Sequence, residues 1–261
     1  MSSFSTVTPA LLQSVLDDLK RRNAGQKPLT NYFFQRLDSV SNLRMLVSEK
    51  SLCFLHDEWD FARLYCYTFD AVDLKQAVMA QPWPALVVTD WISKEAIAPA
   101  DSLLDSLGLH LHAIYDRIVC KSFRSERPNA HMCLASPADR DTIHALLFRM
   151  FDKYSDHIMP VEELGKLILQ REVLLSRNPQ GVLDGLVVFP VSGQNCNYNF
   201  LYNSGGPLGL ARLLGNFYGI LTERGIQSGF SWVRRTRPSV LKLHQSFGWK
   251  TDGLVDYVYM R

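Results

Sequence analysis

The sequence predicts an α/β chain built from two similar halves, and three observations lead there. Short, apolar, β-rich segments alternate with helical spacings along the 261 residues. The order of those segments repeats in the second half. With 47% hydrophobic and 21% charged residues, the chain is globular and long enough for one large domain or two ordinary ones.

The totals also exclude some functions. A formal net charge of +2 gives no general attraction to nucleic acid or to an acidic membrane. Cys53, Cys66, Cys120, Cys133 and Cys196 are scattered, odd in number and never in a CxxC pair. That usage fits reduced thiols in the cytoplasm better than a disulfide framework or a zinc ribbon. The opening "MSSFSTVTPALLQSVLDDLKRRN" has no apolar leader core, and no run approaches the roughly 18 apolar residues of a membrane span. A soluble, cytoplasmic protein is expected.

In order along the chain, Leu11, Leu12, Val15, Leu16 and Leu19 recur at helical spacing behind Thr8-Pro9, a cap followed by a first-turn proline. A second helical segment is expected near 30–38. "LRMLVSE", "SLCFLHD" and "FARLYCYTFD" read as a strand meander, followed by a helix in "AVDLKQAVMAQ" and a buried strand in "PALVVTD". A helix in "ADSLLDSLG" and a strand in "HLHAIYDRIVCKS" end the first half. The polar "RSERPN" (124–129) is the expected linker, giving halves 1–125 and 130–261. The second half opens with helices in "PADRDTIHALLFRMFDKY" and "PVEELGKLILQ". Strands follow in "EVLLSR", "GVLDGLVVFPV" and "NYNFLYNS". After a long helix come a strand "GFSWVRR", a helix "PSVLKLHQSFG" and a terminal strand pair in "WKTDGLVDYVYMR". Within this shared order, "DSLLDSLGL" and "LKLHQSFGW" match at Leu103 with Leu243, Ser106 with Ser246 and Gly108 with Gly248, which points to an internal duplication.

The long helix enters through "GGPLGLARLLGNFYGILTERG". Leu210, Leu213, Leu214, Phe217 and Leu221 share one face and belong to the core. At its start Gly205, Gly206 and Gly209 bare the backbone, and the first N–H groups of a helix have no helical partner. The dipole adds positive character there, so the turn suits phosphate oxygens without a lysine. It is neither a Walker loop nor a GxGxxG turn.

A strand, this turn with its G-x-A, and a helix ending in "TERG" resemble the acyl-CoA loop of the GNAT acetyltransferase superfamily. The family pattern of Arg or Gln, two residues, Gly, one residue, Gly or Ala falls on Gly206, Gly209 and Ala211, with Gly206 replacing the side chain. The following segment is similar to the family in outline, with Gly248-Trp249 for Gly-Phe, Arg237 for the usual asparagine and His244 for the usual tyrosine. The resemblance covers about 134–261. It implies two GNAT-like halves, each a mixed, mostly antiparallel sheet flanked by helices, the C-terminal half complete. The N-terminal half would be a degenerate copy without an acyl-CoA loop, because "LYCYTFD" meets "AVDLKQAVMA" with no glycine turn.

The resemblance implies acetyl-CoA or another acyl-CoA as co-substrate. It would be held by Leu201 and Tyr202 on the entering strand and by Gly205, Gly206, Leu208, Gly209, Leu210, Ala211, Arg212 and Arg237. His244 would serve, as imidazolium, as the acid meeting the CoA thiolate. In "FDKYSDHIMPVEEL", Asp152, Asp156 and His157 can orient a cationic amine, and Asp156 or His157 can take its proton. "VRRTR" either grips anions or is a solvated loop. His110 and His112 lack a third ligand, so no metal is expected. The implied reaction is N-acyl transfer, most simply of acetyl, to an amine of a small molecule or peptide. No nucleic-acid or membrane partner is expected, and a homodimer is allowed. The alternative is a non-catalytic CoA-sensing or protein-interaction module.

Overall fold

A computed structural model describes residues 5–6, 8–31, 43–94, 98–123 and 132–261. The helical segment expected near 30–38, beyond Asn31, and the linker expected at 124–129 lie outside the described residues. The chain divides into two compact units, Met1–Ile114 with Val255–Arg261, and Tyr115–Leu254. The divisions fall inside two strands, at 114/115 and 254/255, so the last seven residues count with the first unit.

The first unit runs β1 (Ser5–Thr6), α1 (Pro9–Arg22), β2 (Leu29–Thr30), β3 (Leu43–Val47), β4 (Ser51–Glu58), β5 (Phe61–Thr68), α2 (Ala71–Met79), β6 (Val87–Ser93), α3 (Ala98–Ser106) and the start of β7 (His110–Cys120). Thr8 caps α1 by accepting from the Leu11 N–H at 3.3 Å, and Lys20, Arg21 and Arg22 complement the dipole in its last turn. Strands β1, β3, β4 and β5 pair antiparallel in that order, β5 pairs β6 parallel, and β2 pairs β5 on its own. Strand β4 is buried on both faces. Leu52 and Phe54 pack with Leu12, Leu16 and Leu19 of α1, while Cys53 and Leu55 pack with Leu74, Val78 and Leu104 of α2 and α3. Two covered faces explain why "SLCFL" reads as an unbroken apolar run and not as an alternation.

Between β5 and α2 there is no glycine, as expected. Asp70 caps α2, its Oδ1 accepting from the N–H groups of Val72 (2.9 Å) and Asp73 (3.3 Å). Those donors, Asp73 first, hold its carboxyl below the usual carboxylate range. The end of this helix where a phosphate would sit is therefore already filled by the chain's own anion.

The second unit starts within β7 and continues through β8 (Met132–Leu134), α4 (Arg140–Met150), α5 (Val161–Leu169), β9 (Val173–Arg177), β10 (Leu183–Val188), β11 (Val191–Ser192), β12 (Asn195–Asn197), β13 (Phe200–Asn203), α6 (Gly206–Glu223), β14 (Ser228–Arg234), α7 (Pro238–Ser246) and the start of β15 (Lys250–Met260). Strands β8, β9, β10 and β13 form one antiparallel sheet. Strands β7 and β14 pair antiparallel, β14 and β12 parallel, and β12 and β11 antiparallel. Two cores result. One gathers Phe189, Tyr198, Leu213, Phe217 and Trp249 under α6, the other Ile143, Leu147, Leu164, Leu186 and Phe200 under α4 and α5.

Three elements differ from the sequence expectation. The segment from Pro137 opens with a 3-10 turn (Pro137–Asp139), and α4 stops at Met150. Phe151 turns to extended backbone and packs edge-on against Phe200 at 4.9 Å, which draws "FDKY" out of the helix. "NYNFLYNS" is two strands in two different sheets, broken at Tyr198 and Asn199. The terminal segment is one eleven-residue strand, not a hairpin. Its Asp252-Gly253 pair has a turn-like composition, but Gly253, at φ +83°, kinks the strand without reversing it.

The suspected duplication reappears in detail. The N–H groups of Gly108 and Gly248 bond the carbonyls of Asp105 and Gln245, and those of Leu109 and Trp249 bond Leu104 and His244. Ser106 and Ser246 each return a hydroxyl to the carbonyl three residues back, and both glycines are left-handed, at φ +75° and +89°. Helices α3 and α7 thus end in the same glycine cap. Among the described residues no helix is long and apolar enough to cross a membrane.

Candidate functional site

Two parallel strands of the second unit begin together and then part. Asn195, Cys196 and Asn197 of β12 pair with Ser228, Gly229 and Phe230 of β14. Tyr198 is the last residue held: its N–H donates to the Phe230 carbonyl at 2.9 Å, and its own carbonyl accepts the Ser231 hydroxyl at 2.7 Å. At Asn199 the chain crosses to the other sheet, donating to the Val188 carbonyl, and β13 then pairs with β10. Strand β14 meanwhile stays on β7 through Arg234, opposite Tyr115. Two facing strand edges are left without a strand between them, among the described residues.

The gap is a cavity of about 310 Å³, wholly within the second unit. Asn199, Leu201 and Asn203 line one arm and Ser231 to Arg234 the other, with Tyr198 at the vertex. Leu210 from the first turns of α6, Arg237 just before α7, and Val240, Leu243 and His244 from α7 complete the wall, with Phe151, Asp152 and Asp156 from the loop after α4.

The glycine turn stands at the head of the β13 arm. Gly206 adopts φ +73°, Pro207 follows in the first turn, and no side chain caps α6. The N–H groups of Gly206 and Leu208 are therefore the donors presented there. Asn203 folds onto the turn, donating to the Gly206 carbonyl at 3.1 Å. A Cβ on Gly209 would lie 3.3 Å from Asn203 Oδ1, and one on Gly205 would lie 3.2 Å from Asp184 Oδ2. The glycines thus permit a close approach as well as an unusual φ. Asp184, bonded by the Ser176 hydroxyl, puts a carboxylate beside an anion-friendly turn, which lowers its positive character.

Beside the β14 arm, Tyr115 of β7 donates to Asp156 Oδ1 at 2.7 Å and meets the Ser155 hydroxyl at 2.7 Å. The Asp152 N–H donates to Asp156 Oδ2 at 2.7 Å, and Arg234 lies 3.5 Å from Asp152 Oδ2. Burial first, and the Asp156 charge second, push the Tyr115 phenol up, so it stays protonated and donating. Asp156 is fixed from two sides on the cavity wall.

His244 is only 2% exposed. The rings of Tyr198 and Trp249 stand against it at 82° and 65°, with centroids 5.4 and 5.8 Å away, and its Nδ1 has no hydrogen-bond partner. Burial pushes its pKa down to about 4. That burial favours the uncharged ring at neutral pH, where the resemblance implied an imidazolium. The sequence showed a short polar helix, whereas the fold turns that face into the aromatic core.

Of the residues singled out from the sequence, the cavity gathers Leu201, Leu210, Asp152, Asp156, Arg234, Arg237 and His244. Gly205, Gly206, Leu208, Gly209, Ala211 and Arg212 belong to the turn and first helical residues beside it but do not line it. Tyr202 alternates away and packs on the α4–α5 core. His157, at φ 50°, follows Asp156 but does not line the cavity. Tyr115, Phe151, Ser231 and Trp232 were not singled out. Tyr115 in particular lies in a strand that the sequence assigns to the other half, forty-one residues before the carboxylate it holds.

No family model matches the sequence, and no curated protein sequence matches it either. Solved structures do match in fold. A GCN5-related N-acetyltransferase from Sphaerobacter thermophilus superposes with a TM-score of 0.63 at 10% identity, covering 99% of this chain and 94% of that one. A tandem GNAT protein from the clavulanic acid biosynthesis pathway gives 0.59 at 9% identity, covering 99% and 98%. An acetyltransferase of the GNAT family from Colwellia psychrerythraea gives 0.56 at 12%, covering 99% of both chains. Over nearly its whole length, through both units, this chain has the GNAT fold.

Proposed function

We propose that the second unit is an N-acyltransferase that moves an acyl group, most simply acetyl, from CoA to an amine of a small molecule or peptide. The observation that carries this reading is the parting of the chain from β14 after β12, where it leaves to form β13, beside an uncapped glycine turn. An extended chain carrying amides can pair with the two open strand edges, as an added strand would. A pyrophosphate at the head of that chain would meet the N–H groups of Gly206 and Leu208. The GNAT neighbours support the same reading at the level of fold.

In this arrangement the acceptor amine enters beside Asp152 and Asp156. Its nitrogen attacks the thioester carbon, the N–C bond forms, the C–S bond breaks, and the amine proton passes to Asp156, directly or through water. CoA leaves as thiolate. A thiol pKa near 8.5 makes that anion a fair leaving group in water, so the neutral His244 need not protonate it. The first unit, with Asp70 filling its equivalent helix end, is read as a copy that binds no CoA. The cytoplasm is the proposed setting, on five cysteines that are all unbridged.

Calorimetric titration of acetyl-CoA into wild type and Gly209→Glu tests the reading. Binding by wild type and its loss in the variant is expected, because the new carboxylate would occupy the turn. No binding of acetyl-CoA, a longer acyl-CoA or CoA by wild type would sink it. One observation favours a second reading, a CoA-sensing module without chemistry: His244 is uncharged where an acid is usual. Binding without turnover across a broad amine panel would select that alternative.

A further inference from the structure

The vertex of the cleft holds a polar group that the fold leaves unsatisfied. His244 is buried and touched by two aromatic rings, and its Nδ1 finds neither donor nor acceptor. The side chain nonetheless lines the cavity, so Nε2 is the nitrogen on the cavity side. A neutral imidazole carries one N–H and one bare nitrogen. A buried N–H without a partner is rarer and costlier than a buried lone pair without one. The packing therefore favours the tautomer with the bare nitrogen at Nδ1 and the proton at Nε2.

We propose that His244 serves the cleft as an uncharged hydrogen-bond donor, through Nε2–H, to the carbonyl oxygen of a bound acyl donor. This rests on the acyl-CoA reading above and adds a residue role to it. Tyr198 and Trp249, the residues in ring contact with it, bring no charge to its edge. The other titratable groups on the cavity wall are Tyr115, Asp152, Asp156, Tyr198, Arg234 and Arg237. A donor that is preset and neutral keeps its aim without a charge being taken up in an apolar site, and it polarises the carbonyl as the amine approaches. Burial keeps the ring in this state across the neutral range.

The free protein can be read directly. The full chain, labelled with 15N-histidine, is recorded in two-bond 1H–15N correlation spectra between about pH 5 and pH 8, and His244 is assigned by its absence in His244→Gln. Expected is a protonated Nε2 and a bare Nδ1, unchanged across the range. The opposite tautomer, or a titration midpoint inside it, overturns the proposal. Binding then tests the ligand atom. His244→Phe should weaken acetyl-CoA about tenfold, the size of one hydrogen bond, with His244→Gln restoring most of it and free CoA affected little. Equal loss for acetyl-CoA and CoA, or no rescue by glutamine, overturns the carbonyl assignment. Wild type that binds neither ligand overturns the acyl-CoA reading and that assignment with it, while the spectra of the free protein still decide the tautomer.

Discussion

Tyr115, on strand β7, holds Asp156 of the loop after α4 at 2.7 Å, across forty-one residues of chain. Its phenol proton goes to one carboxylate oxygen while the Asp152 N–H binds the other. A carboxylate clamped this way has one orientation to offer an incoming amine.

Tyr115→Phe should therefore leave the fold intact and loosen Asp156. The lost bond and the unsatisfied Ser155 hydroxyl together cost about 1–3 kcal/mol of stability, read by urea denaturation. If Asp156 takes the amine proton, turnover should fall more than acetyl-CoA affinity. An equal fall in both would instead mark a structural role for the tyrosine.

The buried imidazole predicts a pH effect on stability. His244 has a folded pKa near 4 against 6.5 for the free group, so the unfolded chain takes up a proton that the folded chain refuses. Its contribution is complete above pH 6.5 and is lost as pH falls from there towards 4, by about 3 kcal/mol in all. Denaturation midpoints of wild type and His244→Phe, compared near pH 7 and near pH 5, should converge or cross as pH falls. A parallel decline in the two proteins would contradict this.

Glycine substitutions should split by sign. Gly248 sits at φ +89° with open space around it, so Gly248→Ala meets no clash and costs about 1–2 kcal/mol through the left-handed backbone alone. Gly165 is inside α5, where an added methyl would touch only Arg140 Cδ at 3.5 Å. Gly165→Ala should stabilise by about 0.5–1 kcal/mol. Thermal denaturation of the two variants checks both signs.

The thiols should react unequally. Cys53 and Cys66 face each other across β4 and β5, and burial pushes the Cys66 thiol up to about 12 and Cys53 well above its usual value. Cys120 and Cys196 are also buried, and Cys133 is exposed. A disulfide-exchange reagent should titrate one thiol quickly in the native protein and all five after denaturation.

Much of this protein was legible in its sequence. Local pattern alone placed most strands and helices, and the glycine caps after Ser106 and Ser246 were visible as a three-residue match because both ends need a left-handed glycine at the same step. The turn at Gly205–Gly209 was visible for the same reason: bare backbone leaves a mark in composition. The vertex of the cleft left none. Nothing local tells that Tyr198 ends one strand pairing and Asn199 begins another, because the exchange depends on where β10 and β14 lie. Nor does spacing show that Tyr115 meets Asp156, or that His244 is buried and neutral on a helix that looks polar. Pattern records what a residue does to its own backbone. Which groups meet across the chain, and in what charge state, is set by packing that only the assembled fold supplies.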